Sequence, residues 1–177
     1  MLKKYHWINP SFKRYWVRFF IQTLFIVVFM FLVMLTLIYG STKHMDVLSA
    51  IGASSIAASA FNVFALPSSP VAMPHRIFGS YIIAIISGMG WHFVSPDLSK
   101  DLILSLTCSR CLASALSAGT TMLLMALLDF EHPPAMGLAL GLVMDIWNDW
   151  TLFVVLIAVL ALCAIKILLR SWLIDLL

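Results

Sequence analysis

Between Phe19 and Tyr39 the chain passes twenty-one consecutive positions without a charged residue. Wound as an α-helix at about 1.5 Å per residue, that run is about 30 Å long, the thickness of a bilayer's hydrocarbon core. The pattern recurs. Apolar stretches of comparable length cover Val47 to Leu66, His75 to Val94, Asp101 to Leu128 and Thr151 to Leu169, with a shorter one from Ala135 to Ile146. The chain is 62% hydrophobic and only 11% charged, where a soluble domain carries about a quarter charged residues. Most of its surface therefore faces something other than water. The expected fold is an all-α polytopic transmembrane bundle of about six helical segments, and a soluble enzyme is excluded.

Lys3, Lys4, Lys13, Arg14 and Arg18 crowd the first eighteen positions. Basic flanks stay on the cytoplasmic side, so 1–18 reads as a basic cytoplasmic segment and 19–177 as one transmembrane domain. The run after Arg18 is too long for a signal-peptide core, and no small-residue cleavage site closes it. With six crossings, the Pro-rich loops at 67–74 and 129–134 share the cytoplasmic side with Arg76, Lys166 and Arg170, as expected in a bacterial inner membrane. Were the short fifth segment re-entrant, the C-terminus would move outside; six crossings are preferred. Gly40 to Asp46 reads as a polar turn, Trp147 to Trp150 as an interface, and Lys166 is close enough to a helix end to snorkel. Cys108 and Cys111 form a C-x-x-C without a βαβ pattern or a second ligand pair, so they read as small residues one helical turn apart.

The second and fourth spans are rich in small residues, which lets helix backbones approach closely and places both spans inside the bundle. Each leads into a similar break. Gly52-Ala53-Ser54-Ser55 runs to Ser69-Pro70-Val71-Ala72-Met73, and Gly119-Thr120-Thr121 runs to His132-Pro133-Pro134-Ala135-Met136. Interrupted helices in matching positions are a sequence pointer to a transporter site. Irregular backbone at membrane depth is tolerated only where it is buried in protein or lines a cavity, so the two breaks predict a shared cavity. The alternative is two ordinary Pro-rich turns.

The candidate substrate-binding set follows from that geometry: Arg110, His132, Pro133, Pro134, Ala135, Ser68, Ser69, Pro70, Ser54 and Thr120. Arg110, about nine residues into the fourth span, costs about 2.5–3.5 kcal/mol at mid-membrane; it either holds a small anion or snorkels to an interface. Pro133 and Pro134 suit a helix start, whose free N–H groups and positive dipole end attract anions. His132 could carry a proton with the anion or simply fix a turn. Asp129 and Glu131 beside it would repel an anion or cap the helix at Pro133. Asn62 is a candidate for a hydrogen bond between spans. No catalytic cluster, metal signature or cofactor motif is visible, so neither an enzyme nor a cofactor is expected.

His132-Pro133-Pro134-Ala135 after a small-residue helix, with Gly52-Ala53-Ser54, the run Phe64 to Pro74 and Gly79, resembles the HPP family of integral membrane proteins over roughly Val47 to the last span. The resemblance implies a multi-helix transporter of small anions, since members from chloroplasts and cyanobacteria are associated with nitrite transport. The chain departs from the family in three places: Met73-Pro74-His75-Arg76 stands where Gln-Pro-Arg is common, Gly79-Ser80-Tyr81 stands where Gly-Gly-His is frequent, and the Gly-rich pattern of the family's first span is missing. The functional expectation is a membrane transporter for a small inorganic anion, with nitrite and proton coupling as its finer forms. The alternative is a non-transporting scaffold or lipid-binding module. Expected partners are the anion and membrane lipids, not nucleic acid, and a homodimer is expected on size alone.

Overall fold

The computed structural model describes residues 12–40, 47–101, 105–144 and 149–176. The expectations for Lys3, Lys4, the turn at 41–46, Trp147 and Asn148 lie outside the described residues. Six helices follow one another: α1 (Phe12–Gly40), α2 (Val47–Ala65), α3 (Pro74–Asp101), α4 (Leu106–Leu127), α5 (Pro134–Met144) and α6 (Asp149–Leu168), with a 3-10 turn at Pro70–Ala72. All but α5 are long and apolar enough to cross a membrane. The all-helical transmembrane bundle read from the sequence is the fold observed. α1 enters the basic segment, beginning at Phe12 with a non-helical Tyr15 three residues in.

Basic residues and helix ends gather at one end of the bundle. Gln22 of α1 donates its amide N–H groups to the carbonyls of Phe64, at the end of α2, and Ile174, the latter at 3.0 Å. Lys166 of α6 donates to the Pro67 carbonyl. The C-terminal segment closes onto the same place: the Leu176 N–H donates to the Ala65 carbonyl at 2.8 Å, and Asp175 accepts from the Ser68 N–H at 2.9 Å. Lys166 is thus buried and tied to a loop rather than snorkelling. At the opposite end Trp150 donates to the Thr36 carbonyl at 3.0 Å, and Ser49 and Thr151 share a 2.7 Å hydrogen bond.

The ends settle the path of the short segment. Asp129 lies at the basic end beside Arg76, whereas Gly141 lies against Ile51, near the start of α2 at the opposite end. Residues 129–144 therefore traverse the bundle, and α6 returns. Only the second part of that traverse is helical. At eleven residues, α5 is about 16 Å long, and it packs among α2, α3 and α4. Small residues permit this: a Cβ at Gly88 would lie 2.8 Å from the Ala139 carbonyl oxygen, and one at Gly141 would lie 2.9 Å from the Ile51 side chain.

Two expected boundaries move. The third span was expected to end at Ser95-Pro96-Asp97, but α3 runs through Pro96 to Asp101. Proline removes the N–H that would reach the carbonyl four residues back, here that of His92. The Ser95 hydroxyl donates to that carbonyl instead, at 2.9 Å. The fourth span was expected from Asp101; α4 begins only after Ser105, whose hydroxyl caps it by accepting from the Cys108 N–H at 3.2 Å. Arg110 is therefore the fifth residue of its helix.

Candidate functional site

The site is built by the way α4 ends. Leu128 caps the helix, Asp129 takes a left-handed conformation (φ 57°), and the Phe130 N–H reaches back to the Met125 carbonyl at 2.9 Å. This is the six-to-one hydrogen bond of a Schellman turn, and it satisfies a carbonyl that the helix end would otherwise orphan. Left-handed backbone is rare for residues other than glycine, though Asp and Asn tolerate it best. Arg76 holds Asp129 there through a 2.6 Å ion pair, with Glu131 at 3.8 Å from the same guanidinium. The pair of carboxylates expected to repel an anion is thus partly neutralised.

The turn throws Phe130 inward over Gly79. A Cβ there would sit 2.6–2.8 Å from the Phe130 ring, so only glycine lets the ring lie where it does. The next turn of chain carries His132 into the bundle, fully buried. Its Nδ1 lies 2.7 Å from the Val71 carbonyl oxygen in the other Pro-rich break. A carbonyl can only accept, so Nδ1 carries the proton. Nε2 lies 2.7 Å from the Ser59 hydroxyl of α2. Ser59 meets the Tyr81 hydroxyl of α3 at 2.9 Å, and Tyr81 meets Ser55 at 2.8 Å. Ser55 donates to the Pro134 carbonyl at 2.6 Å, in the first turn of α5. A continuous polar chain therefore joins both breaks to α2 and α3 inside an apolar bundle.

The depth is significant. Ser59 and Ser55 lie six and ten residues before the end of α2, which puts this chain about 9–15 Å in from the helix end. Of the non-helical residues from Phe130 to Pro133, His132 is fully buried and Phe130 partly so, while Glu131 and Pro133 remain exposed. Two clefts flank the break. One, of about 520 Å³, is bordered by Ala58, Phe61, Asn62, Val71, Pro133 and Pro134. The other, of about 220 Å³, lies against α4 between Glu131, His132, Met122 and Met136.

The predicted residues divide accordingly. His132, Pro133, Pro134 and Ala135 meet at the break, and Ser69 and Pro70 frame the turn whose Val71 carbonyl His132 binds. Ser68 is drawn to Asp175. Ser54 is exposed and turns its hydroxyl onto the Ile51 carbonyl. Thr120 accepts from the Trp91 indole at 3.1 Å, away from the break. Arg110 stands at the far end of α4, seventeen residues from Leu127, about 25 Å along the axis, so the two breaks and this guanidinium do not meet. The expected free N–H groups at the start of α5 are also occupied. Ala135 donates to the His132 carbonyl at 3.1 Å and Met136 to that of Pro133 at 3.0 Å, while the prolines have none to give. The expected cavity between the second and fourth spans is filled by α5, leaving the two clefts beside the break.

Ser55, Ser59, Tyr81 and Arg76 were not in the predicted set. The spacing of Ser55 and Ser59, four apart on one helical face, was the available signal; nothing local linked it to Tyr81 or to His132, seventy-three positions away.

The family model described as HPP, transmembrane region, matches residues 14–174, which is nearly the whole chain. No curated protein matches, and no solved structure matches. A half-helix opening on the second proline of His-Pro-Pro, with the buried His132 pinned to the other break, fits that match: this chain belongs to the HPP family of multi-pass membrane proteins.

Proposed function

We propose that this HPP-family protein transports a small inorganic anion, with nitrite the first substrate to test and proton coupling its finer form. The observation that carries the reading is the start of α5, an interrupted helix opening inside the bundle beside a cleft of about 520 Å³. Interrupted helices at midplane are where transporters bind solutes. Arg76 offsets the charge of Asp129 and Glu131 at the basic end, which lowers the barrier to an approaching anion. Arg110 at the other end supplies a second cationic point.

Arg14, Arg18, Arg76, Lys166 and Arg170 at one end support a cytoplasmic reading of that end under the positive-inside rule. On this reading the protein sits in a bacterial inner membrane with both termini inside, functions as a homodimer, and performs no covalent chemistry.

A second reading has its own support. Both nitrogens of His132 and the first N–H groups of α5 already have partners, as a rigid scaffold or lipid-binding module would require. Uptake decides between them. Purified protein in liposomes is expected to accumulate nitrite above empty liposomes, and Ala58→Trp, which fills the cleft, is expected to abolish accumulation. Uptake equal to empty liposomes across a panel of small anions, under pH gradients of either sign, rejects transport and leaves the scaffold.

A further inference from the structure

The polar chain at the break contains more hydrogen-bond contacts than protons to fill them. Its contacts are His132 Nδ1 to Val71 O, His132 Nε2 to Ser59, Ser59 to the Ser55 carbonyl at 3.0 Å, Ser59 to Tyr81, Tyr81 to Ser55, and Ser55 to Pro134 O. Each bond needs one proton. Three hydroxyls and a neutral imidazole supply one fewer than three hydroxyls and an imidazolium.

The placement of those protons is constrained. Val71 O and Pro134 O can only accept, which fixes His132 Nδ1 and Ser55 as donors. With a neutral ring, Ser59 donates to Nε2, so its contacts with the Ser55 carbonyl and with Tyr81 cannot both be made. With a proton on Nε2, the ring donates to Ser59, and the Ser59 hydroxyl turns to the Ser55 carbonyl or to Tyr81. One more hydrogen bond forms, and a single file runs from Nε2 through Ser59, Tyr81 and Ser55 to Pro134 O. Toward the ring, Ser59 changes from donor to acceptor on protonation.

We propose that His132 and Ser59 form a binding site for one proton at the break between α4 and α5, with Tyr81 and Ser55 ordering the hydroxyl chain behind it. The geometry of the hydroxyls offsets part of what burial takes from the charged ring. The proton comes from hydronium in the cleft that borders Glu131 and His132: one O–H bond of hydronium breaks, one N–H bond forms at Nε2, and water remains. The groups around the ring leave that role to it. α2 presents only hydroxyls. α3 presents Tyr81, with His75 and Arg76 at its start. Asp129 and Glu131, on the ring's own segment, face Arg76. The residues of α4 and α5 at this cleft are Met122, Met125, Ala126 and Met136. As the coupling site for transport the assignment rests on the proposed function; as a proton site it does not.

The test is ¹⁵N nuclear magnetic resonance of the full chain, labelled at histidine nitrogens, in lipid nanodiscs titrated from about pH 8 to about pH 2.5, with His132→Gln to assign the ring. The expected result is an Nδ1–H tautomer at high pH and protonation of Nε2 on acidification. In Ser59→Ala the midpoint is expected to fall by about one pH unit. In Tyr81→Phe it is expected to hold to within about half a unit, because the Ser55 carbonyl still takes the Ser59 proton. That variant keeps the proposal falsifiable should Ser59→Ala not fold. An Nε2–H tautomer at high pH, a ring that stays neutral throughout, an unchanged midpoint in Ser59→Ala, or a full-unit fall in Tyr81→Phe overturns the proposal. A titrating ring in a protein that accumulates no anion rejects transport alone; anion uptake with a ring that never titrates rejects the proton site alone.

Discussion

His132→Ala removes two hydrogen bonds at once. The Val71 carbonyl loses its partner, at about 1–3 kcal/mol, whereas the Ser59 hydroxyl keeps the Ser55 carbonyl and Tyr81. Together with the cavity left by a fully buried ring, a loss of about 2–5 kcal/mol in thermal or denaturant unfolding is expected, well above the cost of an average substitution. Asp129 gives the opposite case. Its partner Arg76 is close, but the Asp129 side chain is largely exposed, so the ion pair contributes about 1 kcal/mol or less. What position 129 needs is tolerance of left-handed backbone. Asp129→Asn is expected to unfold within about 1 kcal/mol of the wild type and Asp129→Val at a clearly lower temperature; equal melting of the two would show that the turn does not depend on that backbone. Gly79→Ala drives a methyl into the Phe130 ring and is expected to cost about 1–3 kcal/mol as an overpacked site, measured in the same way.

At the scale of elements, the decisive part is α5. It is too short to span and survives because its neighbours supply what it lacks: α2 and α3 take up the break's polar groups, and Gly88 and Gly141 let the half-helix lie against α3 and α2. Gly88→Ala meets backbone, the Ala139 carbonyl oxygen, rather than a movable side-chain tip. It is expected to push α5 from α3 and raise the reactivity of a cysteine placed at Ser117, a buried hydroxyl that bonds the same carbonyl at 3.2 Å. Unchanged thiol labelling at position 117 would show that the interface absorbs the methyl. The matched breaks are also clearer as elements than as sequence. Both are followed by a helix that opens on a proline, Pro74 and Pro134, whose missing N–H costs nothing at a first helical position. The shared Pro-x-Ala-Met plays two roles, however: Pro70-Val71-Ala72-Met73 makes a 3-10 turn ahead of its helix, while Pro133-Pro134-Ala135-Met136 runs directly into one.

Across the whole molecule, the chain traverses the bundle six times and returns its C-terminal segment to the end where α1 begins, tied there by Gln22, Ala65 and Ser68. Gln22 serves two carbonyls from one amide in an apolar setting, so Gln22→Leu strands both. The expected effect is a loss of about 1–3 kcal/mol and earlier proteolytic release of the C-terminal segment, read by limited digestion in nanodiscs.

How much of this was legible beforehand follows from range. Span number and the two Pro-led breaks were readable because each is set by a local run: an uncharged length, a missing N–H. Of the two small-residue spans expected inside the bundle, α2 lies there, while most of α4 is exposed and only its Ser109, Ala113, Ser114, Ser117, Thr121 and Met125 side is buried. The same reasoning left Arg110 open between mid-span and an interface; the cap at Ser105 puts it in the second turn of α4, as the interfacial reading has it, while a hydroxyl rescue at Pro96 lets α3 run on. It also left Tyr81 and Ser59 out of the site. Partners such as His132 and Val71, sixty-one positions apart, are chosen by packing, and no local pattern records which buried hydroxyl will face which ring. Sequence alone determined that this chain lies in a membrane and where its helices break, because the bilayer penalises charge and unpaired backbone everywhere along it. Only the tertiary structure decided that the two breaks bind each other and that α5 fills the space between α2 and α4, because those outcomes depend on which surfaces close without leaving a buried polar group unpaired.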